Sequence, residues 1–188
     1  MMMDAAALSR EINDCRQRAD DLLKDLTPGQ FVQRPDPAKW SIAECIAHMS
    51  ATAAVVRKIM RKGIARAREH NLRGQGPFAY GWRGHLLIWI AEPPPKFRIP
   101  APKSVAPALA IDHPHQIVPD FMKAQDDWEN LLKEADGLDL SRITCGKLSS
   151  LFRCQMSGGL MWMMAHQRRH LWQAENVKRQ LMAKAATA

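Results

Sequence analysis

From Asp4 to Leu26, the apolar side chains Leu8, Ile12, Cys15, Ala19, Leu22 and Leu26 follow one another at steps of four and three, with charged residues between them. That rhythm lays one apolar stripe along a cylinder and predicts a first helix over Asp4 to Leu26. Thr27-Pro28-Gly29 reads as its stop. Arg34-Pro35-Asp36-Pro37 cannot resume a helix, because each proline lacks an amide donor and restricts the residue before it.

A second helix is predicted from Ser41. Its hydroxyl can cap free amides while Glu44, three residues on, reaches back to complete a capping box. Ile42, Ile46, Met49, Ala53, Val56 and Met60 continue the stripe to about Ala67, and Glu44, His48 and Thr52 form a neighbouring one. The run Asn71-Leu72-Arg73-Gly74-Gln75-Gly76-Pro77 ends the pattern. Trp82 to Ile90 fits a short helix, after which seven prolines fall between Pro93 and Pro114. A connection that long favours a crossover or a cover over a simple turn.

A third long helix is predicted from Pro119, with Phe121, Gln125, Trp128, Leu131 or Leu132 and Ala135 at helical spacing until Gly137 stops it. The fourth runs from about Cys154 to Ala183. Leu160, Met164, Leu171 and Ala174 give one stripe, and Met163, His166, His170 and Val177 the adjacent one. Gly158-Gly159 either weakens its first turns or lets a neighbour pack close. Four long helices without a convincing strand predict an all-α bundle, one domain over residues 1–188, with a long irregular crossover before the third long helix.

Composition narrows the function classes. The opening Met1-Met2-Met3-Asp4 leads into no long apolar run, and the longest apolar stretch, Leu86 to Ala91, is far short of a membrane span. A cytoplasmic protein without a membrane span is expected. Cys15, Cys45, Cys145 and Cys154 show no CxxC pairing, which argues against a cysteine-zinc site or disulfide framework and for reduced thiols. The net charge of +8 centres on Arg57-Lys58, Arg61-Lys62, Arg66, Arg68 and Arg73. That run lacks interleaved aromatics, so it reads as a solvated helix face rather than a nucleic-acid surface.

The chemistry concentrates in His166-Gln167-Arg168-Arg169-His170. Two histidines four apart share one helix face, so their imidazoles can converge on one point. His48 is the best candidate for a third ligand. Three neutral imidazoles suit zinc, nickel, copper or iron(II) and leave coordination positions open. A metalloprotease of the HExxH type needs Glu after the first His, and Gln167 stands there instead. Cys45, one turn before His48, is a further possible ligand, though a small buried hydrophobe is the plainer reading. Glu44 is a cap, or else an acceptor behind one of the histidines, an additional ligand or a base near the site. His113-Pro114-His115 is a second possible pair in a loop, whereas His70 and His85 lack partners. Trp162 and Trp172 flank the histidine pair, and Arg168 and Arg169 either hold an anionic substrate or face water.

Two stretches carry a family resemblance: Pro35 through Lys39-Trp40-Ser41-Ile42-Ala43-Glu44-Cys45-Ile46-Ala47-His48, and His166 through His170-Leu171-Trp172-Gln173. Together they resemble the DinB-like and YfiT-like metal-binding four-helix bundles, and Lys96 to Lys103 is similar to connecting segments in some members. The resemblance implies an up-down-down-up four-helix bundle, often a homodimer. It implies a divalent metal, nickel or zinc foremost and manganese or iron next, held by His48, His166 and His170. Characterised relatives include thiol-dependent S-transferases and a mycothiol-dependent maleylpyruvate isomerase. The expected activity is therefore a metal-dependent transferase or hydrolase taking a small-molecule substrate with a low-molecular-weight thiol as co-substrate. The rival reading is a non-catalytic metal-binding stress-response or interaction module.

Overall fold

The structure, a computed structural model, describes residues 2–97, 99–107, 111–145 and 154–186. Arg98, within the connecting stretch quoted above, lies outside them. Helix α1 spans Ala5–Leu23, α2 Pro28–Val32, α3 Ile42–Glu69, α4 Gly81–Ala91, α5 Pro114–Glu134 and α6 Met156–Ala186. The described residues are mostly helical, as the periodicity predicts. They also hold two antiparallel pairs of two-residue strands: β1 (Met2–Met3) with β2 (Phe78–Ala79), and β3 (Thr144–Cys145) with β4 (Cys154–Gln155).

The four long helices close a ring of contacts, in which α3 packs on α5 and α6, and α1 on both α5 and α6. Two apolar clusters fill it. Leu8, Ile12, Met60, Trp128, Leu131 and Met163 belong to one; Ile42, Ile46, Met49, Phe121, Leu171 and Ala174 belong to the other, beside the histidines. The short α4 lies along α6, where Gly84 and Gly158 bring the two backbones together.

Four boundaries differ from the sequence reading. Helix α1 ends at Leu23, because Asp25 takes a positive φ of 62° and turns the chain. Thr27-Pro28-Gly29, read as a stop, opens α2: Thr27 and Gln30 form a reciprocal capping box, with Pro28 in the first turn. Helix α5 begins at Pro114 rather than Pro119. Pro114 takes the position where a missing amide costs nothing, and Pro119 sits inside the helix. Residues 154–155, given to the fourth long helix by periodicity, form β4 instead.

The start of α3 fixes the height of His48. Ser41 Oγ accepts from the Glu44 amide at 3.2 Å, and Glu44 Oε2 accepts from the Ser41 amide at 2.8 Å. Arg34 adds a two-pronged ion pair on the same carboxylate, Nε at 2.9 Å from Oε2 and Nη2 on Oε1. Burial pushes the Glu44 carboxyl up, but Arg34 and Ser41 outweigh it, so its pKa lies below the ordinary 4.5. A carboxyl depressed in the folded state contributes stability above its unfolded pKa, and that contribution drains away as pH falls through the folded value. Glu44→Gln keeps the cap geometry but loses the charge. We expect it to cost about 2 kcal/mol at pH 7 in denaturant titrations, with the difference from wild type closing below about pH 4.

Candidate metal centre

His48 projects from the second turn of α3, and His166 and His170 from successive turns of α6, two helices packed against one another. The three sequence-predicted residues come together: one ring nitrogen from each lies within 4.8 Å of the others. The His166 ring centre is 4.5 Å from that of His170, and His48 is 5.2 and 4.6 Å from the two. His48 and His170 are buried, and His166 is partly exposed.

Neighbouring groups set the tautomers. His48 Nδ1 lies 2.7 Å from the Val105 carbonyl, which can only accept, so Nδ1 carries the proton and Nε2 a bare lone pair. His170 Nδ1 donates in the same way to Gln173 Oε1 at 3.1 Å. This is the arrangement by which outer partners orient metal-binding imidazoles. The His48 and His166 Nε2 atoms face each other at 3.3 Å. A His166 Nε2–H donating to the bare His48 nitrogen accounts for this approach, and a cation between the two would do so equally. His166 Nδ1 is buried without a partner.

The rings are held neutral. Burial lowers all three pKa values, opposed at His48 by the Val105 bond. The His170 value falls to about 3, with the His48 and Arg169 charges adding to burial. His166 is pushed well below the ordinary value by burial, then by His170, His48 and Arg169. Neutral, oriented nitrogen donors fit a divalent metal with open positions, so the cluster is compatible with metal binding.

The other candidates go elsewhere. Among the described residues the convergent group contains no carboxylate and no cysteine. Glu44 is spent on Ser41 and Arg34. Cys45 is fully buried in the apolar cluster, where burial drives its thiol pKa up. Gln167 turns away from the site, its Oε1 accepting from Gln125 Nε2 at 2.8 Å, so the place a protease would give its base is a core hydrogen bond between α6 and α5. His113 and His115 are exposed at the head of α5, His70 is exposed, and His85 packs on Tyr80.

The arginines between the two histidines are both partnered. Arg168 forms ion pairs with Glu92 and Glu11. Arg169 donates to the Ile90 carbonyl at 3.1 Å and to the Phe97 carbonyl at 2.8 Å. They strap the beginning of the proline-rich crossover onto α6, and Val105, farther along it, reaches His48. The crossover therefore walls the site. The basic run on α3 is likewise only partly a solvated face: Arg57 pairs with Asp127 at 2.8 Å, and Arg61 with Glu134 at 3.0 Å, tying α3 to α5.

Trp40 was not singled out for the site by its sequence, yet it stacks on His170 at 5.8 Å and packs on His48 at 5.0 Å. Trp162 packs on His166 at 5.3 Å. The two tryptophans thus contact all three imidazoles, Trp40 two of them and Trp162 the third. Neither a curated protein nor a solved structure shows significant similarity to the chain. Residues 11–174 match the sequence model of the DinB superfamily. Since that match spans most of the chain and takes in all three histidines, this protein belongs to the DinB superfamily.

Proposed function

We propose that the protein is a metal-dependent enzyme of the thiol S-transferase type, with His48, His166 and His170 as the metal ligands on an up-down-down-up four-helix bundle. The observation that carries the reading is three neutral imidazoles converging without a carboxylate, two of them with their tautomers set from outside. A bound divalent cation there, nickel or zinc foremost, supplies the Lewis acidity that keeps a thiol as its thiolate at neutral pH. The chain does the rest. The Val105 carbonyl and Gln173 fix the His48 and His170 rings, Trp40 and Trp162 pack against the imidazoles, and Arg169 places a positive charge beside the site. A positive charge so placed favours an anionic form of the incoming small molecule.

The test is conjugation of low-molecular-weight thiols, glutathione and mycothiol among them, to an activated aryl halide by protein loaded with nickel or zinc. Turnover that a chelator abolishes and metal restores supports the transferase. Stoichiometric metal binding without turnover across the thiol panel would move the assignment to the non-catalytic metal-binding module.

The family's homodimer has a candidate face here. Trp82, Leu86 and Trp89 recur at i, i+4 and i+7 on α4, and with Phe97 and Ile99 they are between 42% and 70% exposed. Two antiparallel copies of such a stripe complement one another about a twofold axis at Leu86. Sedimentation equilibrium should give a dimer for wild type and a monomer for Trp89→Glu; a monomeric wild type would remove the dimer.

A further inference from the structure

Away from the histidines, the fold brings together two cysteines that the proposed reaction does not use. Cys145 on β3 and Cys154 on β4 are paired directly across the antiparallel ladder. Both are buried, Cys145 fully and Cys154 at 5% exposure. A Cβ built on Gly159 would meet the Cys154 sulfur at 3.6 Å and the Cys145 sulfur at 3.8 Å. Both sulfurs therefore lie over one residue, on one side of the hairpin. Directly opposed residues of an antiparallel pair hold their Cβ atoms about 4.5–5.5 Å apart, and a disulfide asks for about 3.5–4.5 Å, so a small closing movement suffices. Cys15 and Cys45 lie in the other apolar cluster, on α1 and α3.

We propose that Cys145 and Cys154 are a reversible dithiol–disulfide site, oxidised by hydrogen peroxide. The thiolate of one, Cys154 being the more accessible, attacks a peroxide oxygen. The O–O bond breaks and water leaves, giving a sulfenic acid. The facing thiol then attacks that sulfur; the S–O bond breaks, a second water leaves, and the S–S bond forms. Two thiols give up two electrons and two protons, and one peroxide becomes two waters. Burial raises the pKa of both thiols, that of Cys145 to about 12, which keeps the resting pair reduced and makes the first step slow. The bridge would tie β3 to the strand that runs straight into α6, the helix bearing His166 and His170.

The test is to treat the folded protein with hydrogen peroxide, block remaining thiols with iodoacetamide, and digest with trypsin without reduction. Cleavage after Arg142, Lys147, Arg153 and Arg168 should leave fragments 143–147 and 154–168 joined by a disulfide. The intact mass should fall by about 2 Da, and dithiothreitol should restore it. Cys145→Ser should show no such loss, whereas the Cys15→Ser, Cys45→Ser double variant should keep it. Because the wild-type peptide map decides alone, a variant that does not fold leaves the test intact. Four alkylated cysteines after peroxide, a bridge through Cys15 or Cys45, or a bridge between two chains overturns the proposal.

Discussion

Replacing His166 with alanine is expected to weaken divalent metal binding by more than about 100-fold while leaving the helix content unchanged. The ring is one corner of the imidazole triangle, its Nε2 3.3 Å from that of His48, so its removal takes away a donor for which the convergent group of described residues holds no substitute. The structural cost is small. His166 is partly exposed, its Nδ1 has no partner to lose, and alanine is the best helix former. Gln173→Ala should be milder, about 10-fold, since it frees the His170 ring without removing a donor. Elemental analysis of untagged protein, followed by calorimetric titration, reads both. About one divalent ion per chain in wild type, lost in His166→Ala, is the expected result. A wild type that takes up no metal after reconstitution with nickel, zinc, manganese and iron(II) would end the metalloenzyme reading.

What the chain disclosed about this site depended on how local each signal was. The HxxxH spacing and the Ser41–Glu44 capping box are written within one or two helical turns, and both stand in the structure as read. That His48 meets them is a long-range fact: the stripe at the edge of the second helix makes it the best candidate and the resemblance strengthens it, but only the packing of α3 on α6 brings the rings together. The Val105 carbonyl could not be found at all, because a backbone acceptor has no residue signature. Arg168 and Arg169 read either as anion-holding or as water-facing charges; their partners, Glu92 and the carbonyls of Ile90 and Phe97, lie more than seventy positions away. The boundary errors share another cause. Pro28 reads as a stop and Pro119 as a first-turn proline, whereas Pro28 and Pro114 hold the first-turn positions and Pro119 lies inside α5; which proline's missing amide falls in the first turn is settled by where the neighbouring cap forms.

Gly158 shows how packing decides a choice that sequence leaves open. By helix propensity alone, Gly158→Ala should stabilise α6 by close to 1 kcal/mol. The surroundings forbid it: a Cβ at residue 158 would lie 3.2 Å from the Gly84 Cα, 3.2 Å from the Tyr80 Cβ and 3.5 Å from the Tyr80 carbonyl oxygen. Two of these are backbone atoms and the third is fixed to the backbone, so no side chain can swing clear; α4 must move off α6. We expect Gly158→Ala to cost about 1 kcal/mol net and Gly158→Leu about 3 kcal/mol, measured by urea unfolding. The strain should also reach the metal centre. Helix α4 leads into Ile90 and Glu92, which Arg169 and Arg168 hold against the histidine-bearing turns, so a shift of α4 loosens that strap. Gly158→Leu should therefore lose metal affinity as well as stability, although residue 158 lies two helical turns before His166. A Gly158→Leu protein with wild-type stability and metal binding would show that the close approach of α4 and α6 does not hold the site together.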